Sequence, residues 1–449
     1  MAGDEMMRAG RLLACTAAFV SLLCAGAQAR GYETHTVRQG DSLARIAVRY
    51  LPLTDAYTSN ELLREIMEIN RLDSMTLRVG QELGIPVVRK KPLKASGLKT
   101  PKSFRSMGLY VNQGNAGTRE IFTLADRLRK GGGNTVVFDA KEIHGSLAYR
   151  SRVPGAFTPV ASYPCGIEEI SKLIDGLHRK NIHTVARVCV FRDILMAKTM
   201  KEWRYSDEWV NPASRKVQDY NLAIIRELVG LGVDEIQLDY FRYPADGKKT
   251  TGIPGKSRSD VLADYLARIH ALTSSRHVLL SLDMFGIVIW QREEDIGVLG
   301  QDARKIARHL DVISPMLYPS HFSKNFSGVK NPADEPYFFV SRGIRRVRAI
   351  VGDRVVIRPW LQCFPMKVSR YGPAYIKAQA DAARDSGAVG WLLWSPGNSY
   401  GEAFAAMEAI KKEPARRRES DFQVRKAGVS PRAGTHQGAN LPRHAQGKP

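Results

Sequence analysis

The chain has 449 residues, of which 44% are hydrophobic and 25% are charged. This composition excludes an intrinsically disordered chain, and the length is typical of two or three domains with a substantial core. The formal net charge is +22, but ten Lys or Arg residues and only three acidic residues fall within 411–449. Much of the excess charge is therefore local to a C-terminal tail, and we predict no nucleic-acid partner.

The first 29 residues have the order of a secretory signal peptide. Arg8 and Arg11 precede an apolar run that starts at Leu12, and the small-x-small triplet Ala27-Gln28-Ala29 follows the run. An uncleaved membrane anchor, the alternative, needs about 20 apolar residues, and this run is shorter. We predict cleavage after Ala29, export to the periplasm or cell envelope, and no transmembrane anchor in the mature protein.

The cysteines predict neither a disulfide framework nor a metal site. Of 5 Cys, two lie in the signal, which leaves Cys165, Cys189 and Cys363 far apart in the chain. We interpret them as core or loop thiols. The histidines show no HExxH motif or paired spacing, so we predict no metal and no cofactor.

Residues 34–86 show the order strand, helix, helix, strand. His35 and Val37 alternate with polar residues, Gly40 and Asp41 form a turn, and Ser42 is placed to cap a first helix. A second helix starts at about Glu61, and a second strand ends before Pro86. This pattern predicts a small βααβ module.

The same segment resembles the lysin-motif (LysM) family. The resemblance rests on residues that match in order: Val37, Gly40, Asp41, Ser42, Leu43, Ile46, Ala47, Asn70, Leu77, Gly80, Gln81, Leu83, Ile85 and Pro86. It implies binding of glycans that contain N-acetylglucosamine, such as peptidoglycan or chitin. The residues that it implies for glycan binding are Gly40, Asp41, Ser42, Leu43 and Asn70.

Two segments outside the modules lack apolar periodicity. Residues 87–104 are basic and contain two prolines, which predicts a linker. Residues 413–449 are rich in Gly, Pro, Ala and Gln, which predicts a basic disordered tail.

Residues 105–412 alternate short apolar strands with helix-like stretches, the pattern of repeated βα units. Eight candidate strands follow one another: "MGLYVN", "NTVVFDAK", "HTVARVCVF", "VDEIQLDYF", "HVLLSLDMFG", "DVISPMLYP", "RVVIRPWLQCF" and "AVGWLLWSPG". Eight is the number that a closed (β/α)₈ TIM barrel requires. A doubly wound open sheet is the alternative, but no G-x-G-x-x-G follows the first strand. We predict an α/β fold with a (β/α)₈ barrel after the βααβ module.

In such a barrel the functional residues lie at the C-terminal ends of the strands. Aromatic rings that stack on sugars, polar groups that hold hydroxyls, and carboxylates for acid–base chemistry all occur there. The candidate substrate-binding residues are Asp139, Lys141, Arg242, Tyr318, Trp360, Gln362 and Trp394.

Two carboxyl groups at neighbouring strand ends predict glycosidic hydrolysis. Asp239 ends the fourth strand and Asp283 the fifth, and adjacent strands lie about 4.8 Å apart. That spacing favours the close separation of a retaining mechanism, with Asp239 as nucleophile and Asp283 as acid/base. Arg242 could keep a nearby carboxylate ionised. Asp139 is the rival catalytic carboxyl group, because "FDAKE" also leaves a strand.

The barrel segment also resembles glycoside hydrolase barrels of bacterial envelope proteins, which are related in outline to α-amylase-like retaining enzymes. The segments that carry the resemblance are "FDAKE", "DEIQLDYFRYP", "DVISPMLYPSHF", "RPWLQCF" and "GWLLWSPGN". It implies a (β/α)₈ fold, action on a polysaccharide, and Asp239 at the nucleophile position. Gln237 stands where amylase-type enzymes carry Arg, Asp283 replaces Glu, and the seventh strand has no His-Asp pair. These departures argue against starch-like substrates.

Three hypotheses follow for function. The first is an exported glycoside hydrolase that acts on peptidoglycan or another cell-envelope glycan. The second is a non-catalytic glycan-binding or wall-organising protein. The third is an envelope carbohydrate transferase, which would use the same carboxylates with a sugar acceptor in place of water.

Overall fold

The protein is described by a computed structural model that covers residues 31–153, 155, 166–245 and 253–412. The predicted signal peptide, Cys165 and the tail at 413–449 lie outside the described residues. Within the described ranges, no helix has both the length and the apolar character needed to cross a bilayer.

The N-terminal module has the predicted order of elements. They are β1 (Glu33–Thr36), α1 (Leu43–Tyr50), α2 (Ser59–Ile69) and β2 (Glu82–Ile85). β1 and β2 pair antiparallel, and the two helices cover them with a small apolar core of their own. Ser42 caps α1 by accepting a hydrogen bond from the Arg45 N–H, as predicted.

The C-terminal part alternates strands and helices. In chain order, strands β3 to β13 are Ser106–Val111, Thr135–Lys141, His183–Cys189, Arg204–Ser206, Trp209–Val210, Glu235–Asp239, Leu279–Met284, Val312–Pro315, Val356–Ile357, Trp360–Gln362 and Gly390–Trp394. Helices α3 to α13 are Gln113–Ala116, Glu120–Lys130, Ile170–Arg179, Ile194–Thr199, Arg215–Gly230, Arg258–Ser274, Glu293–Leu299, Ala303–Ile306, Pro336–Val351, Pro373–Asp385 and Gly401–Lys412. All eight candidate strands are present.

The main sheet is parallel and closes on itself. Its order is β11-β10-β9-β8-β5-β4-β3-β13-β12. The two end strands are halves of one chain segment, separated only by Arg358 and Pro359. The Arg358 N–H donates to the Ile313 carbonyl at 2.9 Å on one side, and the Leu392 N–H donates to the Pro359 carbonyl at 2.9 Å on the other. The seventh strand therefore joins both edges, which gives the predicted (β/α)₈ barrel.

Helix packing follows the sequence period. In α5, Ile170, Leu173, Ile174 and Leu177 recur at helical spacing, and all four are buried.

The first residue of β13 has to be a glycine. Gly390 has φ of 86°, and a Cβ there would lie 1.7 Å from the Ser106 carbonyl oxygen, so only glycine lets β13 approach β3.

The N-terminal ends of the strands enclose a charged network inside the barrel. Arg358 Nη1 donates to both carboxylate oxygens of Glu235 at 2.9 Å, and His183 Nε2 lies 3.0 Å from Glu235 Oε2. Burial by itself raises the pKa of Glu235. The Arg358 charge and the His183 contact together outweigh burial and lower the pKa to about 2. Because both charges are fully buried, each depends on the other for solvation.

The N-terminal module rests directly on the barrel. Tyr57 belongs to the core of the barrel, where its hydroxyl donates to the Ala116 carbonyl at 2.5 Å. Lys172 on α5 donates to the carbonyls of Leu51 and Ala56, each at 2.5 Å. A buried tyrosine and a nearly buried lysine thus join the two parts through directional bonds.

The predicted linker is extended and bonded to the barrel. The Leu98 N–H donates to Asp234 Oδ1 at 2.5 Å, Thr100 Oγ1 lies 3.0 Å from His183 Nδ1, and Lys102 pairs with Asp311 at 2.5 Å. These contacts lie at the N-terminal ends of the strands, opposite the predicted functional face.

We predict that Glu235→Gln lowers the free energy of unfolding by about 3–5 kcal/mol, because it leaves the Arg358 charge buried and unpaired. Urea unfolding at neutral pH measures the change. Glu408→Gln, on the exposed face of α13, serves as the control and should change stability by less than about 0.5 kcal/mol. Equal effects of the two substitutions would contradict this account of the network.

Candidate active site

The C-terminal ends of the barrel strands surround a cavity of about 530 Å³. This volume lies within the usual range of small-ligand sites. Asp239, Asp283, Tyr318, Trp360 and Trp394, all predicted as site residues, line it together. The barrel therefore brings side chains from five different strands or strand ends to one pocket.

Arg187 on β5 is the central cation of this face. Its Nε and Nη2 donate to Asp239 Oδ2 at 3.0 and 2.8 Å. Its Nη1 donates to Asp139 Oδ1 at 2.5 Å and to Glu142 Oε1 at 2.9 Å. One guanidinium thus ties together carboxyl groups from β4, the loop that follows it, and β8.

Three carboxyl groups around one guanidinium leave an excess of negative charge in a buried place. Asp139 is only 1% exposed, and the Tyr110 hydroxyl donates to its Oδ2 at 2.5 Å. Burial raises the pKa of Asp139 to about 7, although the Arg187 charge opposes the shift. Glu142 is more open, and there the Arg187 charge and hydrogen bonds outweigh burial and lower the pKa. Of these two carboxyl groups, Asp139 is therefore the one whose protonated form is favoured by its surroundings.

Asp239 is held on both carboxylate oxygens. Besides Arg187 on Oδ2, the Tyr240 N–H donates to Oδ1 at 2.6 Å. Tyr240 has φ of 48°, in the left-handed region that a bulky residue rarely adopts. Such strain persists only where the surroundings enforce it, and it is frequent at functional sites. In this strained conformation of the backbone after β8, the Tyr240 N–H donates to Asp239.

Asp283 has a different environment. The Gln237 Nε2 and the Trp360 Nε1 both donate to its Oδ1, each at 2.6 Å. Among the described residues, no donor reaches Oδ2 and no cation pairs with Asp283. Burial, with the added charge of Asp239, raises the pKa of Asp283 well above its usual range. Asp283 is thus placed to carry a proton while Asp239 is paired with a cation.

A group of aromatic rings comes from three neighbouring strands, β3, β13 and β12. The Trp394 ring stacks on Tyr110 with centroids 4.0 Å apart, and the Arg187 guanidinium lies 5.1 Å from the Trp394 ring. The Trp360 ring meets Trp394 edge-on at 5.5 Å. These rings offer flat apolar faces of the kind on which sugar rings stack.

Three predicted binding residues, Asp139, Lys141 and Gln362, do not line the cavity. Lys141 is fully buried, where its Nζ binds Asp193 Oδ2 at 2.7 Å and the Cys189 carbonyl at 2.9 Å. Gln362 is also fully buried, with its side chain bonded to the Ser320 N–H and the Phe364 carbonyl. These polar groups satisfy the protein's own buried atoms, and the role of the three residues in substrate binding stays a prediction.

Arg242 lines the cavity, as a substrate-binding residue should, but it does not make the salt bridges to the carboxylates. Arg187, and not Arg242, makes the ion pair with the carboxylates. The sequence signal for Arg187 was present and was missed: "HTVARVCVF" places a charged residue in the middle of an apolar strand. A charge at such a position must find buried partners, so it marks a site.

In the N-terminal module, most predicted glycan-binding side chains are engaged internally. Asp41 binds His35 and the Arg38 N–H, both at 3.0 Å. Asn70 accepts from the Gly84 N–H at 2.7 Å, and Leu43 is 1% exposed. Gly40 and Ser42 are exposed. Any glycan contact by these loops would therefore use mainly backbone groups, and the assignment stays a prediction.

Within the described ranges, no group of His, Cys, Asp and Glu has the arrangement of a metal site. The carboxyl groups at the mouth of the barrel have Arg187 in their midst.

We predict that Asp139 titrates near pH 7 and that Arg187→Gln moves its titration to higher pH, because the substitution removes the charge that favours the carboxylate. Carbon-13 NMR of the aspartate carboxyl groups measures both. Arg192→Gln is the control, since Arg192 pairs with Glu208. A wild-type midpoint near pH 4 would contradict the assignment of the proton.

A folded-state pKa of Asp139 raised to about 7 also means that this group's contribution to stability falls as pH rises from about 4 to 7.

Comparisons with known proteins agree with this architecture. A family model described as "LysM domain" matches residues 35–86, and one described as "Putative glycosyl hydrolase domain" matches residues 108–400. The cell division suppressor protein YneA of Geobacillus thermodenitrificans is 37% identical over 60 residues, which are 13% of this chain. The chain spans only 58% of the length of that relative.

Two solved structures are similar to parts of this chain, and the first of them has a similar fold. The glycoside hydrolase domain of PgaB (BpsB) from Bordetella bronchiseptica has a TM-score of 0.52 at 11% identity, over 68% of this chain and 98% of that domain. A hypothetical protein from Ruminiclostridium thermocellum is 25% identical over 39% of this chain and 97% of its own, with a TM-score of 0.35.

The match over residues 108–400 covers more than half of the chain, and it includes all eight barrel strands except the first two residues of β3. The N-terminal module is matched separately as a LysM domain. This chain therefore belongs to the glycosyl hydrolase family that the model of residues 108–400 describes, and its barrel is preceded by a LysM domain.

Proposed function

We propose that the protein is an exported hydrolase of a cell-envelope glycan, with Asp239 and Asp283 as its catalytic pair. One observation supports this most directly. Two carboxyl groups line one cavity, and their surroundings differ: Asp239 is paired with a cation, whereas Asp283 accepts hydrogen bonds only from neutral groups. Surroundings that favour different protonation states are what acid and nucleophile require.

In the first step, Asp283 gives its proton to the glycosidic oxygen as the bond from that oxygen to the anomeric carbon breaks. An Asp239 carboxylate oxygen bonds to the anomeric carbon, which yields a glycosyl ester and a free sugar hydroxyl. In the second step, Asp283 takes a proton from water, the water oxygen bonds to the anomeric carbon, and the Asp239 ester bond breaks. Both carboxyl groups return to their starting states.

The retaining outcome is favoured by the positions of the two residues on the sheet. β8 and β9 pair in parallel, with Leu238 opposite Leu282, so Asp239 and Asp283 follow at the same level on neighbouring strands. Strands about 4.8 Å apart suit the roughly 5–5.5 Å separation of retaining enzymes better than the wider inverting separation.

The substrate class follows from the LysM domain and the aromatic cavity. LysM domains bind glycans that contain N-acetylglucosamine, and Trp394, Trp360 and Tyr240 offer stacking faces next to the carboxyl groups. We propose peptidoglycan, or a related envelope polysaccharide, as the substrate. Export through the predicted signal peptide would place the protein at that substrate.

We predict that Asp239→Asn lowers the release of reducing ends from purified peptidoglycan by about 10²–10⁴-fold or more, because the amide cannot act as the nucleophile. Asp353→Asn is the matched control: Asp353 is exposed in the loop before β11, on the opposite face of the barrel. Its activity should equal that of the wild type.

Three results would count against this proposal. If no envelope glycan is cut while the wild type still binds glycan, the protein is a non-catalytic binding or wall-organising protein. Products extended by a sugar would indicate a transferase. An initial product of inverted anomeric configuration, seen by proton NMR, would overturn the retaining mechanism while leaving hydrolysis intact.

We further predict an alkaline limb in the pH profile of kcat/KM. Asp283 must be protonated to act as the acid, and its pKa lies well above the usual range, so activity falls as pH rises through that value. In Asp283→Asn the residual rate should no longer show this limb. A limb that persists unchanged in the variant would assign the acid to another group, and Asp139, whose pKa burial also raises, would then be tested next.

A further inference from the structure

Arg242 is a nearly enclosed cation that the proposed mechanism does not use. It follows β8 by three residues and lines the cavity together with Asp239 and Asp283. Its guanidinium lies 4.8 Å from the Trp209 ring, 4.8 Å from the Phe285 ring and 5.7 Å from the Tyr240 ring. Three aromatic rings therefore fix its position at the pocket wall.

Among the described residues, no carboxylate pairs with Arg242. The hydrogen bond that its side chain makes within these ranges is from Nη1 to the Tyr243 carbonyl, at 3.1 Å. Both oxygens of Asp239 are occupied, Oδ2 by Arg187 and Oδ1 by the Tyr240 N–H. A guanidinium has five N–H donors in a planar fork, so most of those on Arg242 have no acceptor in the described protein.

A second arginine that lines the same cavity also has no carboxylate partner among the described residues. Arg292, at the exposed entrance, lies 5.7 Å from the Phe326 ring and forms no ion pair among the described residues. Of the arginines that line the cavity, Arg187 is the one that forms salt bridges to carboxylates within the described ranges. The wall that carries Arg242 and Arg292 is consequently positive next to the catalytic pair.

A half-buried arginine that has no ion-pair partner among the described residues is stabilised when an anion binds to it. Arginine is also suited to bidentate recognition of a carboxylate. We infer that the cavity selects a glycan whose sugars bear a carboxylate, with Arg242 as the residue that binds this carboxylate and Arg292 as an attractive charge at the entrance. This inference rests on the proposed function, since it names the substrate class of the same site.

Two kinds of sugar present this chemistry. N-acetylmuramic acid that bears no stem peptide carries a free carboxylate on its lactyl ether, and uronic acids carry one on the ring. A tetrasaccharide of alternating N-acetylglucosamine and N-acetylmuramic acid represents the first, and a tetrauronide represents the second. The N-acetylglucosamine tetramer is the neutral control of the same length. Its de-N-acetylated form is a cationic control, which the two arginines should repel.

Tryptophan fluorescence can follow binding at the barrel alone. All 6 Trp residues lie between 203 and 394, and residues 31–86 contain none, so glycan binding by the LysM domain gives no direct tryptophan signal. Trp209 lies under the Arg242 guanidinium, and Trp360 and Trp394 line the cavity. The full chain is used with Asp239→Asn in every sample, so that no glycan is cut during titration.

We predict that at least one acidic tetrasaccharide binds about ten- to a hundredfold more tightly than the neutral one, and that Arg242→Gln removes this preference with less than about a twofold change for the neutral glycan. Arg242→Lys should restore part of it. Arg292→Gln, at an exposed position, should reduce the preference and its dependence on salt. The matched control is Arg342→Gln, because Arg342 also stacks on a ring, that of Phe338 at 5.4 Å, but lies outside the cavity.

The preferred acidic glycan identifies the source of the carboxylate. The inference is overturned if neither acidic glycan binds, if neutral and acidic glycans bind equally, or if Arg242→Gln and Arg292→Gln both leave the preference unchanged. Hydrolysis of peptidoglycan without any charge preference would overturn the inference and leave the proposed function standing. If the protein prefers acidic glycans but cuts no glycan, the inference stands and the proposed function is overturned.

Discussion

The mouth of this barrel depends on a single buried ion cluster around Arg187. Its guanidinium bonds to Asp139, Glu142 and Asp239, which come from different parts of the chain. Without the cation, three carboxyl groups would share a space that excludes water, and their mutual repulsion would either open the mouth or force protonation. The position of Asp239 and the extra proton on Asp139 both follow from this arrangement.

The same cluster explains why the two proposed catalytic carboxyl groups behave differently. Asp239 shares the Arg187 charge, whereas Asp283 meets only the amide of Gln237 and the indole of Trp360. The cation that pairs with Asp239 comes from β5, the neighbouring strand of the sheet, and Gln237 on β8 binds Asp283 instead.

The two parts of the protein are joined more firmly than a basic, proline-containing connection suggests. Tyr57 is buried in the core of the barrel, and Lys172 bonds to two carbonyls of the LysM side. The connecting segment itself lies along the N-terminal ends of the strands, bonded to Asp234 and Asp311. A glycan held by the LysM domain would therefore be presented to the barrel from a defined direction.

Sequence patterns alone determined the elements and the class of fold. Strand periodicity located all eight barrel strands, and the capping and turn residues around Ser42 located the βααβ module, because both depend on local geometry. Asp239, Asp283, Tyr318, Trp360 and Trp394 could be placed at one mouth, because parallel strands in a barrel end on the same side.

Only the tertiary structure decided how the polar side chains pair. Lys141 and Gln362 sit at strand ends as the residues predicted for the cavity do, yet both bind atoms of the protein itself. Arg187 took the role expected of Arg242, which was left without a carboxylate among the described residues. Strand position fixes where a side chain starts, but the direction of a long side chain depends on which buried charges and acceptors surround it, and those come from residues distant in sequence.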